Sequence, residues 1–315
     1  MFADFKTYCK ERGFVLSDNT VRSTLSAIAS SRIIVVDADE KTFHNFVVLA
    51  SGYFGTRPYF DAVNPTLIKS KMLKTEKDGA QVGSGFASAC MSAKNKGKTV
   101  FYMLKNVDFS NVAYLNDLCE SAKHVKKRDA SGSTGCAVTE NLRVCIRKNG
   151  WCVPSVLAKV SALVRPEIEF TAESATKTTL KVPDYRQLVY TSDAAVKTFA
   201  MREDRWKKLD KEENEIAESV DYVIDNKDWQ RIERFSSAFI AMSDLSDDKA
   251  DASYDAALDE TLFALLIENM LDCTADVKKD DWSLASSIER NFGDVVPKSV
   301  REVRNAVEAA GGKDD

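Results

Sequence analysis

Short apolar runs alternate with amphipathic stretches over the first half of this 315-residue chain. The runs are rich in β-branched and aromatic residues, which is typical of buried parallel strands. Between them, apolar residues recur at helical spacing. This alternation predicts a parallel sheet covered by helices on both faces. Strands are predicted over 32–36, 99–108, 141–150 and 167–170, and helices over 20–30, 42–52, 86–95, 111–122 and 155–163.

The second half of the chain shows only helical periodicity. The clearest amphipathic patterns lie over 229–242 and 257–271. Before it, residues 171–195 have the composition of a linker. We therefore predict an α/β domain over 1–195, which includes N-terminal helices, an all-α domain over 196–310, and a disordered tail over 311–315.

Charge divides along the same boundary. Residues 1–195 carry 27 Lys and Arg against 19 Asp and Glu, whereas residues 196–315 carry 17 against 29. The first part is therefore net basic and the second net acidic, which indicates two units that could attract each other within or between chains.

Compartment and thiol chemistry follow from two further features. No apolar run is long enough to span a membrane, and the first residues, MFADFKTYCKERGF, do not resemble a signal peptide. We therefore expect a cytoplasmic protein with no membrane partner. The seven cysteines are scattered without a CxxC pair, so we expect reduced, buried thiols and no metal site.

The order of these elements resembles the AAA+ P-loop ATPases, in particular the branch related to the McrB restriction motor. The likeness covers roughly residues 12–308. The stretch GFVLSDNTVRSTLSAIASSRIIVVDADEKT resembles the entry to the P-loop, GKTVFYMLKNVDFSNVAYLNDL the second strand, and ENLRVCIRKNG the third. The segments ALDETL and SIERNFGDVVPKSVREVRNAV resemble helices of the family's lid domain. The resemblance implies a P-loop AAA+-like sheet followed by a helical lid.

The nucleotide-binding loop departs from the family pattern. A working P-loop reads G-x-x-x-x-G-K-[ST], whereas residues 35–42 read VVDADEKT. Both glycines, which let backbone N–H groups approach phosphate, are absent. Carboxylates at Asp37, Asp39 and Glu40 would repel a polyphosphate. Alternatively, this segment is simply the start of a helix with acids in its first turn. Lys41 and Thr42 are the residues of the motif that remain.

The metal-binding end of the second strand is also altered. Magnesium needs a carboxylate ligand there, and water activation needs a second acid. The matching positions hold Lys105 and Asn106. One hypothesis is that Lys105 pairs with Asp37 or Asp39 and so fills the empty site with a salt bridge. Asp108, two residues further on, is either a surviving acid or a helix cap.

Three further features match the family's functional positions less directly. Asn149 is either a retained sensor or the first residue of an Asn-Gly turn. Lys159 and Arg165 are candidates for the basic residue at a subunit boundary, or else solvated surface charges. The run that contains Lys126, Lys127 and Arg128 is a candidate contact for nucleic-acid phosphates or a solvated loop after a helix.

These patterns favour a non-catalytic AAA+-like subunit, structural or regulatory, that uses no cofactor. It would assemble with itself or with an active ATPase. Two alternatives stay open: a divergent NTPase that uses Lys41, Thr42 and Asn149, and a nucleic-acid-binding module without NTPase activity.

Overall fold

The chain forms two compact units in a computed structural model. The first contains Met1–Val21, Ser31–Asn149 and Val160–Gln187, and the second contains Arg22–Ser30, Gly150–Lys159 and Leu188–Asp315. Each unit therefore uses separated segments of the chain. The structure describes residues 2–63, 85–96, 98–110, 115–116, 118–119, 140–150, 152–171, 203–218, 222–243, 249–271, 286, 288–290 and 293–309.

Several predictions fall outside these residues. They are the boundary at 195, the tail over 311–315, most of the helix over 111–122, and the basic run Lys126, Lys127 and Arg128.

The first unit contains strands and helices in alternation. Its helices are α1 (Phe2–Lys10), α3 (Glu40–Tyr53) and α4 (Gly85–Lys96), together with the start of α2 (Asp18–Ser30), which continues into the second unit. Its strands are β1 (Phe14–Leu16), β2 (Ile33–Val36), β3 (Tyr59–Ala62), β4 (Val100–Lys105), β5 (Leu142–Arg147), β6 (Ser161–Val164) and β7 (Ile168–Phe170).

Five parallel strands form the main sheet in the order β3-β4-β5-β2-β6. All four residues of β2 are buried, which confirms the interpretation of its apolar run as a strand covered on both faces. Although β2 is the first of these strands in the chain, it lies between β5 and β6. The carboxyl end of β2, which leads into α3, therefore has a neighbouring strand on each side.

Helices cover both faces of this sheet, as predicted. Phe54, at the end of α3, contacts Phe101 of β4 with ring centroids 5.7 Å apart. On the other face, Phe86 of α4 contacts Tyr102 of β4 with centroids 5.2 Å apart. Successive residues of a strand point to opposite faces, so α3 and α4 pack on opposite sides of β4. An α/β fold with a parallel sheet flanked by helices is thus present.

The helix predicted over 155–163 is wrong in its second half. Only α5 (Ser155–Ala158) is helical, and Ser161–Val164 form β6, which pairs with β2. The segment is apolar throughout, and a short apolar run fits a buried strand as well as a helix.

Two other segments also differ from the predicted arrangement. Residues 167–170 are a strand, as predicted, but β7 pairs antiparallel with β1 in a separate two-stranded sheet. Residues 59–62, which lie in none of the predicted strands or helices, form the edge strand β3.

All described elements of the second unit are helical. They are the Arg22–Ser30 part of α2, α5, α6 (Glu203–Glu218), α7 (Asn226–Ala241), α8 (Ala250–Thr261), a π-helical turn (Leu262–Leu266), α9 (Ile267–Met270) and α10 (Pro297–Ala309). The helical patterns predicted over 229–242 and 257–271 are confirmed, with α8, the π-helical turn and α9 continuous along the chain.

Three consecutive polar residues at the end of α8 form hydrogen bonds to other helices of this unit. Asp259 accepts hydrogen bonds from the backbone N–H groups of Lys298 and Ser299, at 2.9 and 2.8 Å, and so caps α10. Glu260 accepts a hydrogen bond from Ser23 of α2, at 2.6 Å. The Thr261 hydroxyl lies 2.9 Å from the Ser236 hydroxyl of α7. Each of these buried polar groups therefore has a partner on a different helix, as burial requires.

The cysteines depart from the predicted uniform state. Cys9, Cys90, Cys119 and Cys145 are free and buried, as predicted. Cys152, however, is disulfide-bonded. No helix in the described part of the chain is long and apolar enough to cross a membrane.

We expect Asp259→Ala to destabilise the second unit by about 1–3 kcal/mol, because the buried N–H groups of Lys298 and Ser299 lose their acceptors. Urea denaturation followed by circular dichroism measures this loss. The matched control is Asp255→Ala on the same helix, which removes an acid with no such capping role. Equal stability of the two variants would contradict the capping role of Asp259.

Candidate functional site

The candidate site is the carboxyl edge of the parallel sheet, where β2 leads into α3. Asp39 has extended backbone angles and forms the N-cap of α3. Its Oδ1 accepts hydrogen bonds from the backbone N–H groups of Lys41, at 2.9 Å, and Thr42, at 3.0 Å. Its Oδ2 accepts one from the Thr42 hydroxyl, at 2.6 Å. Of the two interpretations of DADEKT, the structure shows the helix start.

The capping hydrogen bonds also set the ionisation of Asp39. They lower the pKa of its carboxyl below the ordinary value, and the largest cause is the hydrogen bond from the Thr42 side chain. The charged carboxylate is therefore the form that fits the start of α3. The Asp39 carboxylate already accepts from the backbone N–H groups of Lys41 and Thr42, which an external anion would need as donors.

Asp37 directly follows β2 and forms an ion pair with a residue that follows the neighbouring strand β6. The Arg165 guanidinium, just after β6, donates to Asp37 Oδ2 from Nε at 2.9 Å and from Nη2 at 2.5 Å. Both side chains are partly exposed. One prediction is thereby corrected, since Asp37 pairs with Arg165 and not with Lys105. Arg165 donates to Asp37 within the first unit, and its role at a subunit boundary stays a prediction.

The physical reason is strand order. Lys105 ends β4, and β5 lies between β4 and β2, so Lys105 is two strands away from Asp37. Arg165 directly follows Val164, which is aligned with Val36 in the adjacent strand β6. Arg165 is therefore nearer to the Asp37 carboxylate than Lys105 is, and it forms the ion pair.

The loop after β4 is shaped by local polar contacts. Asn106 has a left-handed backbone with φ of 57°, a conformation that Asn tolerates better than most residues. Asp108 accepts hydrogen bonds from the Ser110 backbone N–H, at 2.9 Å, and its hydroxyl, at 2.7 Å. These bonds lower the pKa of Asp108, with the Ser110 side chain as the largest cause. Asp108 thus closes a short turn and does not project as a free acid.

Asn149 links the ends of two strands. Its side-chain amide donates to the Val107 carbonyl at 3.4 Å, and the following Gly150 has a φ of 106° that an L side chain rarely adopts. The Asn-Gly turn is therefore present, and Asn149 also joins the chain after β5 to the loop after β4.

Lys159 belongs to the second unit. Its carbonyl accepts a hydrogen bond from the half-buried Arg231 side chain at 2.7 Å, while its own side chain is exposed. The sequence residues therefore separate into two groups. Asp37, Asp39, Glu40, Lys41, Thr42, Lys105, Asn106, Asp108, Asn149 and Arg165 all follow or end strands of the parallel sheet, whereas Lys159 does not.

Sequence reasoning missed two charged residues of the sheet. Asp61 of β3 accepts hydrogen bonds from the backbone N–H groups of Gly85 and Phe86, at 3.1 and 3.0 Å, and from the Tyr102 hydroxyl at 2.9 Å. It thereby fixes the start of α4. Arg147 ends β5 next to Lys105. A signal for Arg147 existed, since it lies within the strand predicted over 141–150, but which residue lies beside it depends on strand register.

Sequence comparisons with known proteins do not identify this arrangement. No protein-family model matches the chain, and no curated protein sequence is significantly similar to it. Within the described ranges, no group of three or more His, Cys, Asp or Glu residues is placed to hold a metal ion.

We expect the carboxyl of Asp39 to titrate below the ordinary aspartate pKa of about 3.9, because the start of α3 donates hydrogen bonds to its charged form. Carboxyl-detected NMR measures this midpoint. In Thr42→Val the midpoint should rise, since the largest contribution is lost, and Thr56→Val is the matched control. A lowered folded-state pKa means that the cap stabilises the unit above the unfolded pKa and that this contribution disappears as the pH falls through the folded pKa. A midpoint unaffected by Thr42→Val would show that the cap is not formed.

Proposed function

We propose that this protein is a non-catalytic AAA+-like subunit, structural or regulatory, that assembles with its own copies or with an active ATPase. In this proposal the parallel sheet is a P-loop-like core and the helical unit corresponds to the family's lid. The subunit contributes surfaces to an assembly and does not turn over nucleotide.

The observation that carries the proposal is the Asp39 cap. In a P-loop, the backbone donors at the start of the helix and the hydroxyl of the final Ser or Thr serve phosphate and magnesium. Here the N–H groups of Lys41 and Thr42 and the Thr42 hydroxyl all donate to Asp39. A triphosphate would have to displace a carboxylate covalently tethered next to its donors, and that carboxylate would also repel it.

The end of β4 supports the same conclusion. A magnesium ion needs oxygen ligands, usually including a carboxylate. The strand ends in Lys105, and the next acid along the chain, Asp108, is hydrogen-bonded to Ser110. A lysine at this position brings positive charge where a metal ion would need negative charge.

Assembly is supported by the fold and the charge distribution. The sheet is compatible with a P-loop-like core, and residues 1–195 and 196–315 carry net charges of opposite sign. Complementary charge steers association and favours head-to-tail contacts between copies. The P-loop and metal positions are altered while the layered fold is retained, a combination that fits a structural member of an assembly.

Isothermal titration of the purified protein with ATP and GTP, with and without Mg²⁺, tests the nucleotide half of the proposal. We expect no binding in the micromolar range for the wild type. Asp39→Ala is the sensitive variant, because it releases the donors at the start of α3 and is the change most able to restore weak binding. Micromolar binding by the wild type, lost in Lys41→Ala, would overturn the proposal in favour of a divergent NTPase.

Sedimentation analysis at rising protein and salt concentrations tests the assembly half. We expect self-association, or association with a co-purifying ATPase, that weakens with salt, because contacts between opposite charges are screened. A protein that stays monomeric and brings no ATPase with it from its native source would contradict this half.

A further inference from the structure

Two cations lie side by side at the carboxyl ends of β4 and β5. Leu104 of β4 is aligned with Ile146 of β5, and Lys105 and Arg147 are the next and last residues of these strands. Neighbouring strands lie about 4.8 Å apart, and aligned residues point to the same face of the sheet. Lys105 and Arg147 therefore leave the sheet from adjacent positions on one face.

That face is the one covered by α3. Phe101 contacts Phe54 at the end of α3, and strand alternation puts Lys105 on the same side as Phe101. Arg147 is aligned with Val36, the last residue of β2, from which the chain runs directly to the start of α3. The pair thus lies at the carboxyl edge, on the α3 side.

Within the described ranges, neither cation has a counter-charge. Both side chains are half-buried, and neither forms a hydrogen bond or ion pair in the described part of the chain. The two aspartates near the end of β2 are committed elsewhere, Asp37 to Arg165 and Asp39 to the start of α3. The next acids along the chain, Asp108 after β4 and Glu40 after β2, are exposed, and neither forms an ion pair with these cations.

Two adjacent, half-buried and unpaired cations repel each other and are each partly desolvated. A bound anion of matching charge would relieve both penalties. Phosphate carries close to two negative charges near neutral pH and several strong acceptor oxygens. The planar guanidinium of arginine binds such oxygens in pairs, and lysine adds a mobile point charge.

We propose that Lys105 and Arg147 form a binding site for the phosphate group of a small ligand at the carboxyl edge of β4 and β5. The donors are side chains of two strands, and the N-terminal amides of α3 take no part. This site goes beyond the proposed function and does not depend on it, because a subunit with a closed α3 start can still hold a phosphate group here.

Thermal unfolding of the full chain in rising concentrations of inorganic phosphate, with chloride keeping the ionic strength constant, tests the site. At about ten times the dissociation constant, phosphate should raise the midpoint by about 2–4 °C. Lys105→Met and Arg147→Met keep the aliphatic stems and should abolish this rise. Lys98→Met and Arg57→Met, at exposed positions of the same unit, are the matched controls and should retain it.

A second measurement guards against variants that simply fold poorly. In chloride buffer alone, Lys105→Met and Arg147→Met should melt at or above the wild type, because one member of a repelling pair is gone. Amide shifts in NMR spectra should change near positions 105 and 147 when phosphate is added. Glycerol phosphate, tested in parallel, should give the same response as inorganic phosphate if the natural ligand is a phosphate ester.

Three results would overturn the site: no phosphate-dependent rise in the wild type, an equal rise in all four variants, or lower stability of both site variants in chloride. None of them alters the nucleotide titration, which depends on Lys41 and Asp39. Failure of this inference is therefore distinguishable from failure of the proposed function.

Discussion

The hydrogen bonds between Asp39 and the start of α3 determine what the carboxyl edge of the sheet can hold. A helix that begins directly after a central parallel strand presents unsatisfied N–H groups at a sheet edge where ligands commonly bind. In this chain the carboxylate of Asp39 accepts from Lys41 and Thr42, and so it satisfies those groups from within. The same contacts that give the helix a defined start remove its ability to attract an external anion. The stability of the helix start and the occupation of its anion-binding donors therefore have one physical cause here.

A comparable constraint organises the helical unit. Asp259, Glu260 and Thr261 follow one another on α8, and each turns about 100° from the last around the helix axis. Between them they reach three other helices: Asp259 bonds to α10, Glu260 to α2 and also to Lys298 of α10, and Thr261 to α7. The π-helical turn Leu262–Leu266 begins directly afterwards, and all five of its side chains are buried. A rotation of α8 about its axis would leave these three buried polar groups unpaired. The polar residues, together with the apolar turn that follows them, therefore fix the orientation of α8 against its neighbours.

Local signals predicted the parts of the fold that depend on neighbouring residues. The run Ile33–Val36 and the acids before Lys41 were sufficient to predict a buried strand and a helix start. Ser161–Val164 was misassigned because an apolar run that follows a short helix carries no mark of where the helix stops. The Asp37–Arg165 pair was missed because it depends on β6 lying beside β2, and Arg147 because it depends on the alignment of β5 with β4. Register and strand order arise from the whole sheet, and no single segment encodes them.

Charge at the carboxyl edge is divided between the two faces of the sheet by strand alternation. Val36 and Arg147 are aligned on the face that α3 covers, so the next residues, Asp37 and Lys148, point to the opposite face. On that opposite face, Arg165 balances Asp37. Among the described residues, Lys105 and Arg147 have no such balance on the α3 face. A shift of one residue in the register of β5 would place Lys148 beside Lys105 and turn Arg147 toward Asp37. The α3 face would still carry two adjacent cations, so its positive charge does not depend on this register, whereas the position of the planar Arg147 guanidinium beside Lys105 does.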